Sequence, residues 1–129
     1  MDLTLRTESW GTDDQSWLGS RHGIGECASV TLDKSTFTSG THYPDGYFKS
    51  GIALAKITAT GKYGPYDNAA SDGRQTLAGF LFAPVPVSTT ADQDPVGAML
   101  DHGKVVAAKL PVAVDTAGQA DVAGRIIFY

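Results

Sequence analysis

From Ser29 onward the apolar residues of this chain come in short runs, and each run is cut off by glycine, proline or aspartate. Ile52 to Thr60 stops at Gly61, Gln75 to Phe82 runs into Pro84 and Pro86, and Val96 to Leu100 meets Asp101-His102-Gly103. Runs of this length suit strands, and no helical period of useful length survives the interruptions. The composition agrees. Asp outnumbers Glu twelve to two, and there are 15 glycines and 13 threonines, so turn and strand formers dominate. The 16 alanines sit mostly beside Gly, Val or Pro rather than in helical repeats. These features predict one mostly β domain of 129 residues with one or two short helices.

Individual segments can be assigned. Val30-Thr31-Leu32 reads as a short strand, and Thr41-His42-Tyr43-Pro44-Asp45-Gly46-Tyr47 as turn chemistry, with Pro-Asp-Gly its clearest signal. Ile52 to Thr60 is the strongest strand, although its apolar parity changes along its length. That change predicts a bulge near Ala55-Lys56 or burial on both faces. Lys62 to Gly73 reads as a loop, Gln75 to Phe82 as a second strand, and Pro84 and Pro86 as an edge or exit. Val96–Leu100 and Lys104–Leu110 flank a plausible hairpin turn at Asp101-His102-Gly103. Asp115-Thr116 is placed to cap a short helix through Ala117 to Ala123, stopped by Gly124. Ile126 to Tyr129 is a final strand that has to be paired or buried.

The first 28 residues differ from the rest. Leu3, Leu5, Trp10, Trp17, Leu18 and Ile24 are isolated among Gly, Ser, Asp and Thr, and no period is sustained beyond Leu3-Thr4-Leu5. Such a stretch buries too little apolar surface by itself to offset its ordering entropy. It also holds the charge: residues 1–33 carry six acids and two bases, whereas the remainder balances eight against eight. A ragged tail would have that profile, yet both tryptophans lie here. The alternative is an extended arm, residues 1–28, ahead of a β domain at 29–129, ordered on a partner. Leu3, Thr4 and Leu5 would then add as a strand to a sheet edge, with Trp10, Trp17 and Leu18 as apolar anchors.

Motifs for chemistry are sparse. Cys27 is the single cysteine, so no intrachain disulfide and no CxxC metal pair exists. Gly23-Ile24-Gly25-Glu26-Cys27-Ala28 fits GxGxxA, but it follows Ser20-Arg21-His22 and precedes β-prone residues, which argues against a dinucleotide cofactor. His22 with Cys27 lacks an orienting third group, and His42 and His102 lack metal-ligand spacing. Asp92-Gln93-Asp94 and the stretch from Asp67 to Asp72 miss the glycine and closing glutamate of a calcium loop. Tyr63 and Tyr66, near Arg74, could form a sugar-stacking platform, which defines a carbohydrate-binding alternative. The net charge of −4 argues against nucleic-acid or anionic-membrane partners. No stretch reaches the roughly 18 apolar residues of a membrane span, and Met1-Asp2-Leu3-Thr4 does not read as a signal peptide. The expectation is a protein that is not an enzyme and takes no cofactor and no metal.

The block Ser50-Gly51-Ile52-Ala53-Leu54-Ala55-Lys56-Ile57-Thr58-Ala59-Thr60-Gly61-Lys62-Tyr63, continued by Tyr66-Asp67-Asn68-Ala69-Ala70-Ser71-Asp72-Gly73-Arg74-Gln75-Thr76 and Gly79-Phe80-Leu81, resembles the lambda-type bacteriophage head decoration proteins. His102-Gly103-Lys104-Val105-Val106, Lys109-Leu110-Pro111 and Gly124-Arg125-Ile126-Ile127-Phe128 resemble the ending of the same family. The resemblance implies a small β-clip or β-tulip domain, an incomplete barrel with little helix. It implies a capsid cement protein, made in the host cytoplasm and carried on the outer surface of the virion. Such proteins form homotrimers on local three-fold axes of the expanded head and brace it against packaged DNA. Their N-terminal arms pair with the major capsid protein. A trimeric β-clip enzyme of the nucleotide-hydrolase kind shares that architecture, but architecture alone does not license the activity.

Overall fold

The computed structural model describes residues 14–87 and 93–129. At its centre is a five-stranded antiparallel sheet of β1 (Ala28–Thr31), β7 (Val96–Leu100), β5 (Gly79–Leu81), β3 (Ala53–Lys56) and β4 (Tyr63–Pro65), in that spatial order. A ribbon of β2 (Tyr47–Phe48) and β6 (Val85–Pro86) and a parallel pair of β8 (Gly103–Val105) and β9 (Ile126–Phe128) complete the strands. Two short helices, α1 (Ser39–His42) and α2 (Thr116–Asp121), and three 3₁₀ turns lie between them. The chain is mostly β, as the sequence predicts, and no described sheet closes into a barrel.

Both faces of the central sheet are covered, while Ile57 and Ala59, the residues at which the apolar parity changes, lie beyond the end of the strand. Successive side chains of a strand point to opposite faces. Ala53, Phe80 and Leu100, in mutual register, join one apolar cluster, whereas Leu54, Leu81 and Met99 join the other. The first face packs against Trp17, Leu77, Val105, Val122 and Ile126, beneath the β8–β9 pair and α2. The second packs against Phe37, Phe48, Ile52 and Val85, beneath the β2–β6 ribbon. The strand itself ends at Lys56, because Ile57 donates to the Lys62 carbonyl (2.8 Å) and accepts from Gly61 (2.9 Å), closing the turn to β4.

Several local assignments hold. Asp115 caps α2, its carboxylate accepting the Gly118 amide at 2.8 Å. Pro86 lies in a ribbon paired on one side only. The final strand is paired. Others differ. The Lys62–Gly73 loop contains β4, where Pro65 is tolerated because β4 is the sheet's outer strand. Only Gly79–Leu81 of the second expected strand is paired in the sheet, since the Thr76 amide is taken by the Gly73 carbonyl (3.3 Å) and the Leu77 amide by the Asp121 carboxylate (2.9 Å). Asp101-His102-Gly103 is not a hairpin. Gly103 donates to Arg125 (2.9 Å), and β8 leaves the central sheet to run parallel to β9. The Arg125 guanidinium fastens that departure by donating to the carbonyls of Ala78 (3.1 Å) and Asp101 (3.2 Å).

Candidate interaction surfaces

Leu3, Thr4, Leu5 and Trp10 lie outside the described residues. Trp17 and Leu18 lie inside them and belong to the domain. Trp17 is completely buried against Phe80, with ring centroids 6.0 Å apart. Its indole N–H donates to Ser50 Oγ (3.0 Å), which donates onward to the Phe82 carbonyl (2.7 Å). Gln15 Nε2 donates to the same carbonyl at 2.8 Å. Leu18 bridges Val105 antiparallel, Gly19 donates to Lys104 (2.8 Å), and Val106 donates to Trp17 (2.7 Å). Residues 15–19 thus form a strap along the free edge of β8.

Trp17, expected as a partner-facing anchor, is therefore an internal one, and the expected boundary at residue 28 falls within packed chain. A single tryptophan filling a gap in a core needs no periodic neighbours, so periodicity carried no signal of it. Gly51 shows how close the fit is. Its φ is +94°, and a Cβ there would lie 2.8 Å from the Trp17 ring and 2.9 Å from Pro111.

The strap opens onto a cleft of about 280 Å³ lined by Asp14, Tyr47, Lys49, Ser50, Pro84, Lys109 and Pro111. Ser50 connects it to the Trp17 hydrogen-bond chain. The Asp14 carboxylate accepts the Ser16 amide at 3.0 Å; this bonding, with a smaller contribution from Lys109, holds its pKa below the ordinary value. Neither Lys49 nor Lys109 makes an ion pair among the described residues.

A second surface lies at the C-terminal edge. β9 pairs with β8 alone, and Ile127 and Tyr129 stand 56% and 64% exposed, among the largest exposed apolar side chains. The Lys104 ammonium lies 5.7 Å from the centre of the Tyr129 ring.

The groups considered for chemistry are occupied in structural contacts. The Cys27 thiol donates to the Ile24 carbonyl (3.4 Å), and burial, with Asp101 nearby, raises its pKa, the opposite of an activated thiolate. His22 stacks edge-on against His102 (5.2 Å), whose ring nitrogens face Asp101 (2.9 Å) and Glu26 (3.4 Å). Buried His42 accepts the Thr38 amide at Nδ1 (2.8 Å). Asp94 pairs with Lys62 and also accepts the Lys34 amide, while Asp92 lies outside the described residues. No group of three His, Cys, Asp or Glu positioned for a metal occurs among the described residues, and no described helix is long and apolar enough to cross a membrane.

The two tyrosines do not share a platform. Tyr63 packs on the cluster beneath the β2–β6 ribbon. Tyr66 packs on the opposite cluster and donates to Asp115 (2.8 Å), and its pKa is pushed up to about 12 by burial and then by that carboxylate. The described residues leave two open features: a cleft beside the point where residues 1–13 join, and an apolar edge at β9.

No curated protein and no solved structure matches the chain. A family model described as bacteriophage lambda head decoration protein D matches residues 23–125. That span covers most of the chain and all five strands of the central sheet. The protein therefore belongs to the bacteriophage lambda head decoration protein D family.

Proposed function

We propose that this protein is a cement for the phage head. It binds as a homotrimer on the outer surface, at local three-fold axes of the expanded capsid, and braces the major capsid protein against the pressure of packaged DNA. Residues 1–13 supply the grip: Leu3-Thr4-Leu5 adds to an exposed strand edge of the capsid protein, with Trp10 as the apolar anchor. The observation that carries this reading is the strap. Trp17 is buried a few residues after that segment and hydrogen-bonded through Ser50 to Phe82. A pull on residues 1–13 would thus be transmitted to the core rather than to a loose end. The open β9 edge with Ile127 and Tyr129 supports self-association, and three tethered grips on one trimer raise overall binding by roughly 10²–10⁴ over one.

The test mixes undecorated expanded capsids with intact protein or with protein lacking residues 1–13. Intact protein should fill the three-fold positions in cryo-electron density, and the shortened protein should need at least about tenfold more protein for equal occupancy. Equal occupancy at equal concentration would reject the gripping role of residues 1–13.

A further inference from the structure

Two Asp-Gly pairs occur in the chain, Asp45-Gly46 and Asp72-Gly73, and the fold treats them differently. An aspartate followed by glycine holds the reactants of a backbone rearrangement side by side. Its side-chain carbonyl carbon can close a small ring on the next peptide nitrogen, and glycine has no Cβ to obstruct the closure. Both aspartates are exposed, so access to water does not separate them. Their hydrogen bonds do.

Asp72 is held. Arg74 Nε donates to both of its carboxylate oxygens (3.2 and 3.0 Å), and the Arg74 amide donates to Oδ1 (3.1 Å). The Gly73 amide donates to Gln75 Oε1 (2.8 Å), and Gly73 is packed so closely that a Cβ would collide with the Lys56 carbonyl. The carboxylate cannot swing onto the Gly73 nitrogen without breaking its contacts to Arg74. Those bonds also hold its pKa below the ordinary value, so the uncharged acid, from which water can leave, is scarcer. Asp45 is not held. It lies in a turn at residues 43–46 that is closed by one 3.2 Å bond, from the Gly46 amide to the Tyr43 carbonyl. Its carboxylate has no hydrogen bond or ion pair among the described residues. A Cβ on Gly46 would meet open space.

We propose that Asp45-Gly46 is a site of spontaneous isoaspartate formation in the folded protein, and that Asp72-Gly73 is protected from it. The Gly46 nitrogen loses its proton to solvent and attacks Cγ of the protonated Asp45 carboxyl. The carboxyl hydroxyl leaves as water, and a cyclic imide remains. Water then adds to the imide carbonyl that came from the Asp45 backbone, and the bond from that carbon to the Gly46 nitrogen breaks. The chain now runs through Cβ and Cγ, the former backbone carbonyl is a free carboxylate, and neither mass nor oxidation state has changed. The backbone has gained one methylene in the turn that feeds β2. The Gly46 carbonyl accepts the Val87 amide (2.9 Å) beside the Tyr47–Pro86 pair, and Phe48 and Val85 of the same ribbon belong to the buried cluster. The rearrangement therefore loosens the ribbon that covers one face of the central sheet. It stands without the capsid role.

The experiment keeps full-length protein near neutral pH at body temperature for several weeks, without capsid. Digested samples are read by electron-transfer fragmentation, which separates isoaspartate from aspartate at equal mass. Isoaspartate at position 45 should accumulate several-fold faster than at position 72. In urea-unfolded protein the two rates should converge, because the Arg74 and Gln75 contacts are gone. In folded Arg74→Ala protein the rate at position 72 should rise towards that at 45; if this variant fails to fold, the urea comparison still isolates the protection. Asp45→Glu should abolish the signal at 45, since its ring closure is one atom larger. Amide exchange at Val87 should quicken in the aged parent and not in aged Asp45→Glu protein. A rate at 45 no greater than that at 72 in the folded protein would overturn the proposal. So would a difference that persists unchanged in urea, which would assign it to neighbouring residues rather than to the fold. Unchanged Val87 exchange in the isomerised protein would overturn the effect on the ribbon. None of these readings involves the capsid, so failure here leaves the gripping test unaffected.

Discussion

His42 shows what one buried polar side chain does to this fold. It sits edge-on to Phe37, at 5.4 Å between ring centres, and its Nδ1 accepts the Thr38 amide. That bond requires an unprotonated Nδ1, so the neutral ring carries its hydrogen on Nε2. Burial lowers the pKa of the ring from its ordinary 6.5. The unfolded chain then takes up the proton at higher pH than the folded chain. The stabilisation from His42 is complete above about pH 6.5 and is lost as pH falls through the lower, folded value. The urea midpoint should therefore drop from about pH 7.5 to about pH 5.5, above the range where carboxylates titrate. His42→Gln protein should be less stable at the upper pH but show a smaller drop. The same drop in both would remove His42 as its source. Trp17 is the complementary case. Its indole N–H, the Ser50 hydroxyl and the Phe82 carbonyl satisfy one another, and no described buried side-chain nitrogen or oxygen lacks a partner.

Among the elements, the strap depends most on a single position. Residues 15–19 hold to β8 by a few backbone bonds, and their main apolar contribution is Trp17. Gly51 makes room for that ring with a backbone conformation that L-residues rarely adopt. Gly51→Ala combines backbone strain with a collision against both Trp17 and Pro111, and should cost about 1–3 kcal/mol in chemical denaturation. Amide exchange at Gly19 and Val106, which donate to Lys104 and Trp17, should speed up along with it. A destabilisation that leaves those two amides protected would mean that the strap does not depend on the glycine. Elsewhere the elements follow local rules: Asp115 starts α2, and Pro65 and Pro86 occupy strands at the ends of their sheets.

At the scale of the whole molecule the open β9 edge sets what copies of the chain can do. A short parallel pair ending in exposed Ile127 and Tyr129 is an apolar edge that a soluble monomer would leave uncovered. If the proposed trimer forms and this edge makes its contact, Ile127→Lys should lower the sedimentation coefficient to that of a monomer with little effect on the fold, because the side chain already faces outward. An unchanged trimer would assign association to another surface. Much of this architecture was legible from the residues. Glycine, proline and aspartate cut the apolar runs to strand length, and the long block from Ser50 to Leu81 resembled the family, whereas the parity change in Ile52 to Thr60 marked the end of the strand at Lys56. Local spacing determines these features, because alternation along a strand and the conformations open to turn residues are properties of neighbouring positions. The tertiary structure alone decided that Trp17 turns inward, that β8 pairs in parallel with β9 rather than back on β7, and that Lys49, Lys109 and Asp14 line one cleft. Each of those joins residues far apart in the chain, and which distant edge or gap a segment fills is set by packing and hydrogen-bond competition that no local period records.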